Sequence, residues 1–346
     1  NYYTDLSLNE DLYNAISKYS KTNEAKNLTG YRKKFLQDVM LDYKRSGFSL
    51  PASERKKVKK VLDKLTELGL EFDKNIRSSQ DTLFLKEVEL EGLPENYKKE
   101  RKQADGKYAV DTSYPSYGPF MKLAESDKAR EMLRFKYNNR ASESNIIVLD
   151  DILRNRMKLV KLLGYNSYAE YRTEDRMAKN PKNVWSFEND LKDKLRPKAL
   201  QDVSEMLKIK SKRLKKKAGV IHPWEAGFYE NLLKLEKYDL DGEEVKKYFE
   251  FNNVTQGLFT IYQTLFSVRF ERVENASVWH EDVQMFSVYD KKTDELIGDF
   301  YLDMFPRANK YSHAAAFGFR GGKLTKDGYR RPATALVCNF PKPTEY

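Results

Sequence analysis

"VLDDILRNRMKLVKLLGY", residues 148–165, sets the fold class. Leu149, Ile152, Leu153, Met157, Val160 and Leu163 recur at the spacing that lines one face of an α-helix, while charged residues occupy the rest. The pattern stops at Gly164, a residue suited to the left-handed cap that ends helices. Downstream, Asn166 and Ser167 are cap residues for a helix over "YAEYRTEDRMA". Asn180 and Pro181 open another at "NPKNVWSFENDLKDKL". Upstream, "LPASERKKVKKVLDKLTELGLEFDKNI" has start signals in Ser49, Pro51 and Ser53, then a stripe of Val58, Val61, Leu62, Leu65, Leu68, Phe72 and Ile76. Residues 1–220 therefore read mostly as helical hairpins. Between two of them, "DTSYPSYGPFMKLAES" (111–126) is expected to be a turn-rich join, because Pro115 and Pro119 oppose helix.

The character changes toward the C-terminus. Residues 254–268 predict one more helix, and from about residue 276 the apolar period falls to two. In "ELIGDFYLDMF" (295–305), Phe300, Leu302 and Met304 alternate with Asp299, Tyr301 and Asp303, the pattern of a strand with one buried face. "KLTKDGYRRPATALVCNF" (323–340) carries a hairpin turn at Asp327–Gly328 and a buried-strand run in "TALVCNF". The expected class is mainly α, built of helical hairpins or a bundle, with a small antiparallel-rich β-sheet near the C-terminus. The "TALVCNF" strand is expected at an edge of that sheet, where it would promote association.

The 346 residues exceed what one core usually serves, so two lobes are expected. A 40% hydrophobic content builds cores, and 33% charge with a mean hydropathy of -0.77 gives a heavily solvated surface. No apolar run approaches the roughly 18 residues of a membrane span, and no signal-peptide pattern opens the chain. The lone Cys338 excludes an internal disulfide framework and fits a reducing compartment, with the cytosol the simplest location. The net charge of +11 is concentrated in "ERKKVKK" (54–60) and "KSKRLKKK" (210–217). The first falls on the polar face of the striped helix, so solvation is favoured over nucleic-acid contact. The start without Met and the end just after a strand-like run suggest a piece of a longer protein.

Four patterns imitate active sites. His280–Glu281 in "SVWHEDVQMFSVYD" (277–290) opens the His-Glu-x-x-His zinc signature, but Gln284 stands where the second His must be. The run that follows is β-rich, so His280 is expected as a polar His at a strand start. "GFRGGKLT" (318–325) fails as a phosphate loop, since Leu324 replaces the magnesium-binding Ser or Thr. Asp299 and Asp303 are expected as solvent-facing strand carboxylates, too far apart to share a proton. Cys338 reads as a packed mid-strand thiol; His222, His280 and His313 are spread too widely for a local metal pattern.

Taken together, "HPWEAGFYENLLKLEKYDLD" (222–241), "VWHEDVQMFSVYD" (278–290), "GDFYLDMFPRANKYSHAAAFG" (298–318) and "ALVCNFPKPT" (335–344) resemble the region upstream of the zinc helix in the thimet oligopeptidase and neurolysin family. "LLGYNSYAEYRTEDRMAKNPKNV" (162–184) resembles that family's helical region in the same order, and the Lys- and Tyr-rich composition suggests a yeast member. The resemblance implies a zinc metalloendopeptidase that hydrolyses short peptides in a deep channel between two mostly helical lobes. It places the His-Glu-x-x-His helix and a further Glu ligand beyond Tyr346, so this chain is expected to be inactive and to hold no zinc. It implies a division into a segment at 1–50 packed with the C-terminal lobe, a helical lobe at 51–235, and an incomplete zinc-bearing lobe at 236–346. The missing C-terminal part of the same chain is then a partner, as are short peptides, whereas nucleic acid and membrane are not.

For this chain the family points to channel wall, with Ser312, His313, Ala314, Ala315, Ala316 and Gly318 as candidate substrate-lining residues. Small residues on an edge strand let a peptide add as another strand; the same alanines also permit tight packing. Ser312 stands where the family usually has Gly before the His. Two alternatives stay open: a non-catalytic peptide-binding scaffold and a basic helical nucleic-acid binder.

Overall fold

The computed structural model describes residues 2–79, 81–307, 309–311 and 313–342. The first helices are α1 (Tyr2–Ser7), α2 (Glu10–Ser20), α3 (Asn23–Lys26), α4 (Gly30–Tyr43) and α5 (Ala52–Ser78). Strands β1 (Thr82–Leu85) and β2 (Tyr108–Asp111) flank α6 (Glu95–Lys99). Next come α7 (Tyr114–Leu123), α8 (Asp127–Asn138), α9 (Ser142–Leu163), α10 (Tyr168–Thr173) and α11 (Pro181–Leu214). Helices α12 (Ala226–Tyr238), α13 (Gly242–Lys246) and α14 (Phe251–Phe266) lead into β3 (Val268–Arg272), β4 (Gln284–Asp290) and β5 (Leu296–Asp303). The chain ends in β6 (Ala315–Arg320), β7 (Lys323–Thr325), β8 (Gly328–Arg330) and β9 (Ala333–Val337). The architecture is mainly helical with a small sheet near the C-terminus, as the periodicities predict. No helix among the described residues is long and apolar enough to cross a membrane.

The chain divides into two compact units, residues 1–76 with 141–199 and residues 77–140 with 200–346. In the first, the stripe of α5 meets α9: Leu68, Val148 and Ile152 form the core, with Leu65 and Phe72 against them. The expected α9 stripe is corrected, since Ile152 and Val160 are buried but Leu149, Leu153 and Met157 are exposed. Asn145 is buried there because its amide donates to Phe72 O at 3.1 Å while its oxygen accepts from Asn75 at 2.9 Å. Gly164 takes φ 81 and caps α9, as read from sequence. Buried Arg45 joins the 44–48 turn to α10 through Glu174, 2.9 Å away, and through the Tyr171 ring. Arg55 and Lys59, in the "ERKKVKK" run, pair with Glu10 and Asp5.

In the second unit, Leu83, Leu85, Leu90, Val110, Phe120 and Leu133 anchor a core under α7 and α8. Here the expected turn-rich join at 111–126 is overturned, because it forms α7. Pro115 sits in the first turn, where its missing N–H has no intrahelical partner to lose. Pro119 leaves the Pro115 carbonyl without its helical amide, and Arg101 Nη2 donates to that oxygen at 3.3 Å. Arg130, fully buried, then fixes the end of α7 by donating to the Ala124 and Glu125 carbonyls and to Trp224 O.

Gly92, between these elements, has φ 86, and a Cβ there would run into the Leu123 carbonyl oxygen. Gly92→Ala combines left-handed strain with overpacking and is expected to cost roughly 3 kcal/mol in urea unfolding, whereas Gly106→Ala, whose site has φ 81 and open space, should cost about 1 kcal/mol. Equal losses at the two sites would show that the Leu123 contact is unimportant.

The five-stranded sheet has the order β3-β4-β5-β9-β6. All its pairs are antiparallel except β5 with β9, which run parallel in the register Asp299↔Ala333 to Asp303↔Val337. Strand β9 is therefore interior, and the expected edge at "TALVCNF" is a correction: β3 and β6 are the edges. Helix α14 covers one face by placing Phe259 on Phe270, Phe286 and Phe300. The predicted hairpin forms as β7–β8 with Lys326 and Asp327 in the turn, Gly328 opening β8 at φ 110.

Candidate functional site

Strand β6 carries most of the candidate residues and lies on the sheet edge beside β9. Ala316 and Gly318 are exposed and Ala315 is half-buried; His313 and Ala314 precede the strand, exposed. Ser312 lies outside the described residues. A Cβ at Gly318 would meet Thr334 Oγ1 at an ordinary 3.5 Å, so packing does not demand glycine there. The register slips between Gly318 and Arg320, a bulge that twists the edge as it passes into the β7–β8 hairpin. Arg320 reaches back to Asp299 at 2.8 Å.

The segment that feeds β6 is held by a buried charge knot. Asp303, 2% exposed at the end of β5, takes two hydrogen bonds from Arg307 at 2.7 and 2.9 Å, one from Trp279 Nε1 at 2.9 Å, and the Lys310 ammonium at 2.8 Å. Lys310 also donates to the carbonyls of Asp303, Phe305 and Cys338, and so ties the 304–310 turn to the ends of β5 and β9. Asn339 donates to Tyr311 O and His313 O, which extends the tether to the start of β6. Burial alone would raise the Asp303 carboxyl; the bonds from Arg307, Lys310 and Trp279 outweigh it and hold the group well below the usual carboxylate range. Asp299 bonds Ser287 at 2.9 Å and Arg320. The expectation of solvent-facing carboxylates is corrected for both residues, because each has cations or hydroxyls brought over it from outside its own strand.

The zinc-like pair is also placed. His280 lies in the bend before β4 rather than on a strand, and its Nδ1 accepts from Asp282 N at 3.1 Å. The Lys342 ammonium, 2.8 Å away, keeps the Asp282 carboxyl below its ordinary value. His222 stacks on Trp224 at 4.5 Å, and the His313 ring lies 5.8 Å from that of Tyr114. Among the described residues no group of three or more His, Cys, Asp or Glu side chains could hold a metal ion. Cys338 follows β9 directly and is packed among Phe259, Phe286, Leu302 and Met304, and burial pushes its thiol up.

The basic run at 210–217 is not all solvated face. Lys210 is buried and bonds Glu225 at 2.6 Å and Val220 O at 2.9 Å. Sequence reading missed this pair and the Asp303 knot, since a lysine in a basic run and an aspartate in an alternating strand each look solvent-bound.

Residues 120–346 match the sequence profile of peptidase family M3. The chain is 30% identical over 354 residues to the Thimet-like oligopeptidase of Dictyostelium discoideum, covering 98% of this chain and 52% of that protein. It is 33% identical over 361 residues to Saccharolysin of Saccharomyces cerevisiae, covering 99% and 51%. Oligopeptidase A of Escherichia coli is 29% identical over 362 residues, covering 99% and 52%. The chain spans about half the length of the curated relatives it matches.

Proposed function

Since the chain belongs to peptidase family M3, we propose that it is about half of a zinc-dependent oligoendopeptidase and that its part in the reaction is to bind the peptide. The observation that carries this is the exposed, small-residue edge of β6, within the family match. An extended peptide can add there as a sixth strand, its main-chain hydrogen bonds giving affinity that tolerates many sequences. Ser312, His313, Ala314, Ala315, Ala316 and Gly318 are the residues we assign to that wall of a channel that admits short peptides. The Asp303–Lys310 knot positions the segment entering it.

This chain's own residues do not fit the family's zinc ion. Its histidines, His222, His280 and His313, are engaged in separate places, and the described residues offer no cluster of three donors. Zinc belongs in this reading to the remaining length of the protein, and the chain alone does not cleave. Its surface supports a missing partner. The chain exposes 24009 Å², against about 17,500 Å² for two separate compact bodies of the units' sizes. Exposed Trp185, Phe187 and Leu195 on α11, and Ile261, Leu265 and Phe266 on α14, are faces for that remainder to cover. For the complete protein we assign 1–50 to pack with the zinc-bearing lobe, 51–235 to the helical lobe and 236–346 to the near half of the zinc-bearing lobe, in the cytoplasm. This division differs from the two compact units of the present chain, in which 1–50 groups with 51–76 and 141–199. Neither nucleic acid nor membrane is a partner; the pairing of Lys57 and Lys59 with Glu54, Asp5 and Asp63, and the burial of Lys210, reduce the free charge of the basic runs.

The test is elemental analysis of the purified chain together with a quenched short peptide. No bound zinc and no cleavage are expected, with both gained when the chain is extended to the length of its relatives. Stoichiometric zinc with chelator-sensitive cleavage by the present chain would overturn the reading.

A further inference from the structure

Just before β6, His313 meets Tyr114 of α7, which belongs to a group of side chains contributed by α7 and the end of α8. Tyr114, at the start of α7, is 45% exposed, and its ring is 5.8 Å from His313. Tyr117, one turn further, stacks on Tyr137 of α8 at 4.0 Å and 19°. Arg140 lies over the other aromatic surface available here, its guanidinium carbon 3.9 Å from the Tyr137 centroid, anchored by Nε donating to Tyr137 O at 2.9 Å. Its two terminal nitrogens have no carboxylate partner among the described residues. The carboxylate of Asp111, three residues before Tyr114, is already engaged by the Ser113 amide and hydroxyl. Burial and the neighbouring Tyr137 phenol raise the Tyr114 pKa while Arg140 works against the rise, so at neutral pH the hydroxyl is a donor.

Strand addition supplies the polarity. A peptide that pairs antiparallel with β6 runs its C-terminus toward the strand's first residue, Ala315, and therefore toward His313 and Tyr114. Two residues past Ala315 carry a strand roughly 7 Å, in the direction of His313 and its neighbour Tyr114. Resting on the reading of β6 as the peptide-binding edge, we propose that Arg140, Tyr114, Tyr137 and His313 form a subsite for the free C-terminal carboxylate of a short peptide bound antiparallel along β6. Arg140 offers the planar pair of N–H donors that a carboxylate accepts in bidentate fashion. The phenols of Tyr114 and Tyr137 hydrogen-bond to each other, which leaves one hydroxyl hydrogen of the pair as a further donor, and the exposed rings of Tyr114 and His313 suit an apolar last side chain. Parallel addition would bring an ammonium to the same place, where Arg140 repels it.

Anisotropy of a labelled hexapeptide with the present chain tests this. The peptide is offered with a free C-terminus, with a C-terminal amide, and with alternate backbone nitrogens methylated. Amidation is expected to weaken binding about tenfold or more, and Arg140→Gln to weaken the free acid similarly while leaving the amide unchanged. Tyr114→Phe, which keeps the ring and removes only the hydroxyl, is expected to give a smaller loss confined to the free acid. Equal affinities for acid and amide, with binding still lost on methylation, would overturn the subsite and leave the edge reading intact. Binding unaffected by methylation would overturn the edge reading and with it this proposal. Unchanged far-ultraviolet circular dichroism of both variants keeps the comparison free of folding effects.

Discussion

Replacing Asp303 by alanine is expected to destabilise the unit that holds the five-stranded sheet by about 3–5 kcal/mol in urea unfolding. The residue is 2% exposed, and its removal strands the Lys310 ammonium, whose side chain is 3% exposed, and unpairs Arg307 and Trp279. The cost arises mainly from leaving charge buried without a counter-charge, so Asp303→Asn, which keeps shape and an acceptor for Trp279, is expected to recover only part of it. The native pair also makes stability depend on pH. The folded carboxyl titrates below its unfolded value of about 3.9, so its contribution is complete above that pH and is lost as the pH falls toward the lower folded value. The wild type should therefore lose stability steeply below about pH 4, and Asp303→Asn should show a shallower acid limb. A loss under 1 kcal/mol with an unchanged acid limb would mean that the knot is solvated and does not hold the approach to β6.

How far such features can be read from sequence depends on how local their causes are. Helix α5 was legible because Val58, Leu65, Leu68 and Phe72 repeat at helical spacing and pack that face. Helix α9 was legible as a helix, but its buried face runs through Val148, Ile152, Leu159 and Val160, while Leu149, Leu153 and Met157 of the expected stripe are exposed. Gly164 was legible as a cap because its φ of 81 is a local demand. Helix α7 was not, because the rescue of the Pro115 carbonyl comes from Arg101, and a rule about proline counts only the bond it removes. Asp303 obeyed strand alternation, yet Trp279 and Lys310 reach it from outside the strand. The order β5-β9-β6 puts β9 inside the sheet by a parallel pairing that no run of residues announces. The small-residue run at β6 marked an edge correctly, since alanine and glycine leave the backbone accessible whatever the strand order. Tyr114 carried no motif, because it takes a helix and a distant turn to bring it beside His313, and Arg140 lies over Tyr137 from just past α8.

The second large effect is expected at Lys210 and Glu225, where coupling matters more than either loss. Their side chains are 10% and 5% exposed, and one carboxylate oxygen, Glu225 Oε2, accepts from Lys210 Nζ at 2.6 Å and from His222 N at 2.7 Å. Glu225→Gln leaves the buried ammonium without a counter-charge, beside the Val220 carbonyl and the Tyr229 ring, and Lys210→Met leaves a buried carboxylate held by one amide. Each is expected to cost about 3–5 kcal/mol, because the desolvation of the remaining charge is no longer offset. The double variant removes both charges, keeps an acceptor for His222 N in the glutamine, and fills the lysine's track with an unbranched apolar chain. It should lose far less than the sum of the singles, a coupling of several kcal/mol in a double-mutant cycle read by urea unfolding. Additive losses would instead show that both groups are hydrated and independent. Strong coupling would mean that the turn joining α11 to α12, and with it the Trp224 carbonyl to which Arg130 donates, is set by one buried pair rather than by the apolar contacts of Ile209 and Phe228.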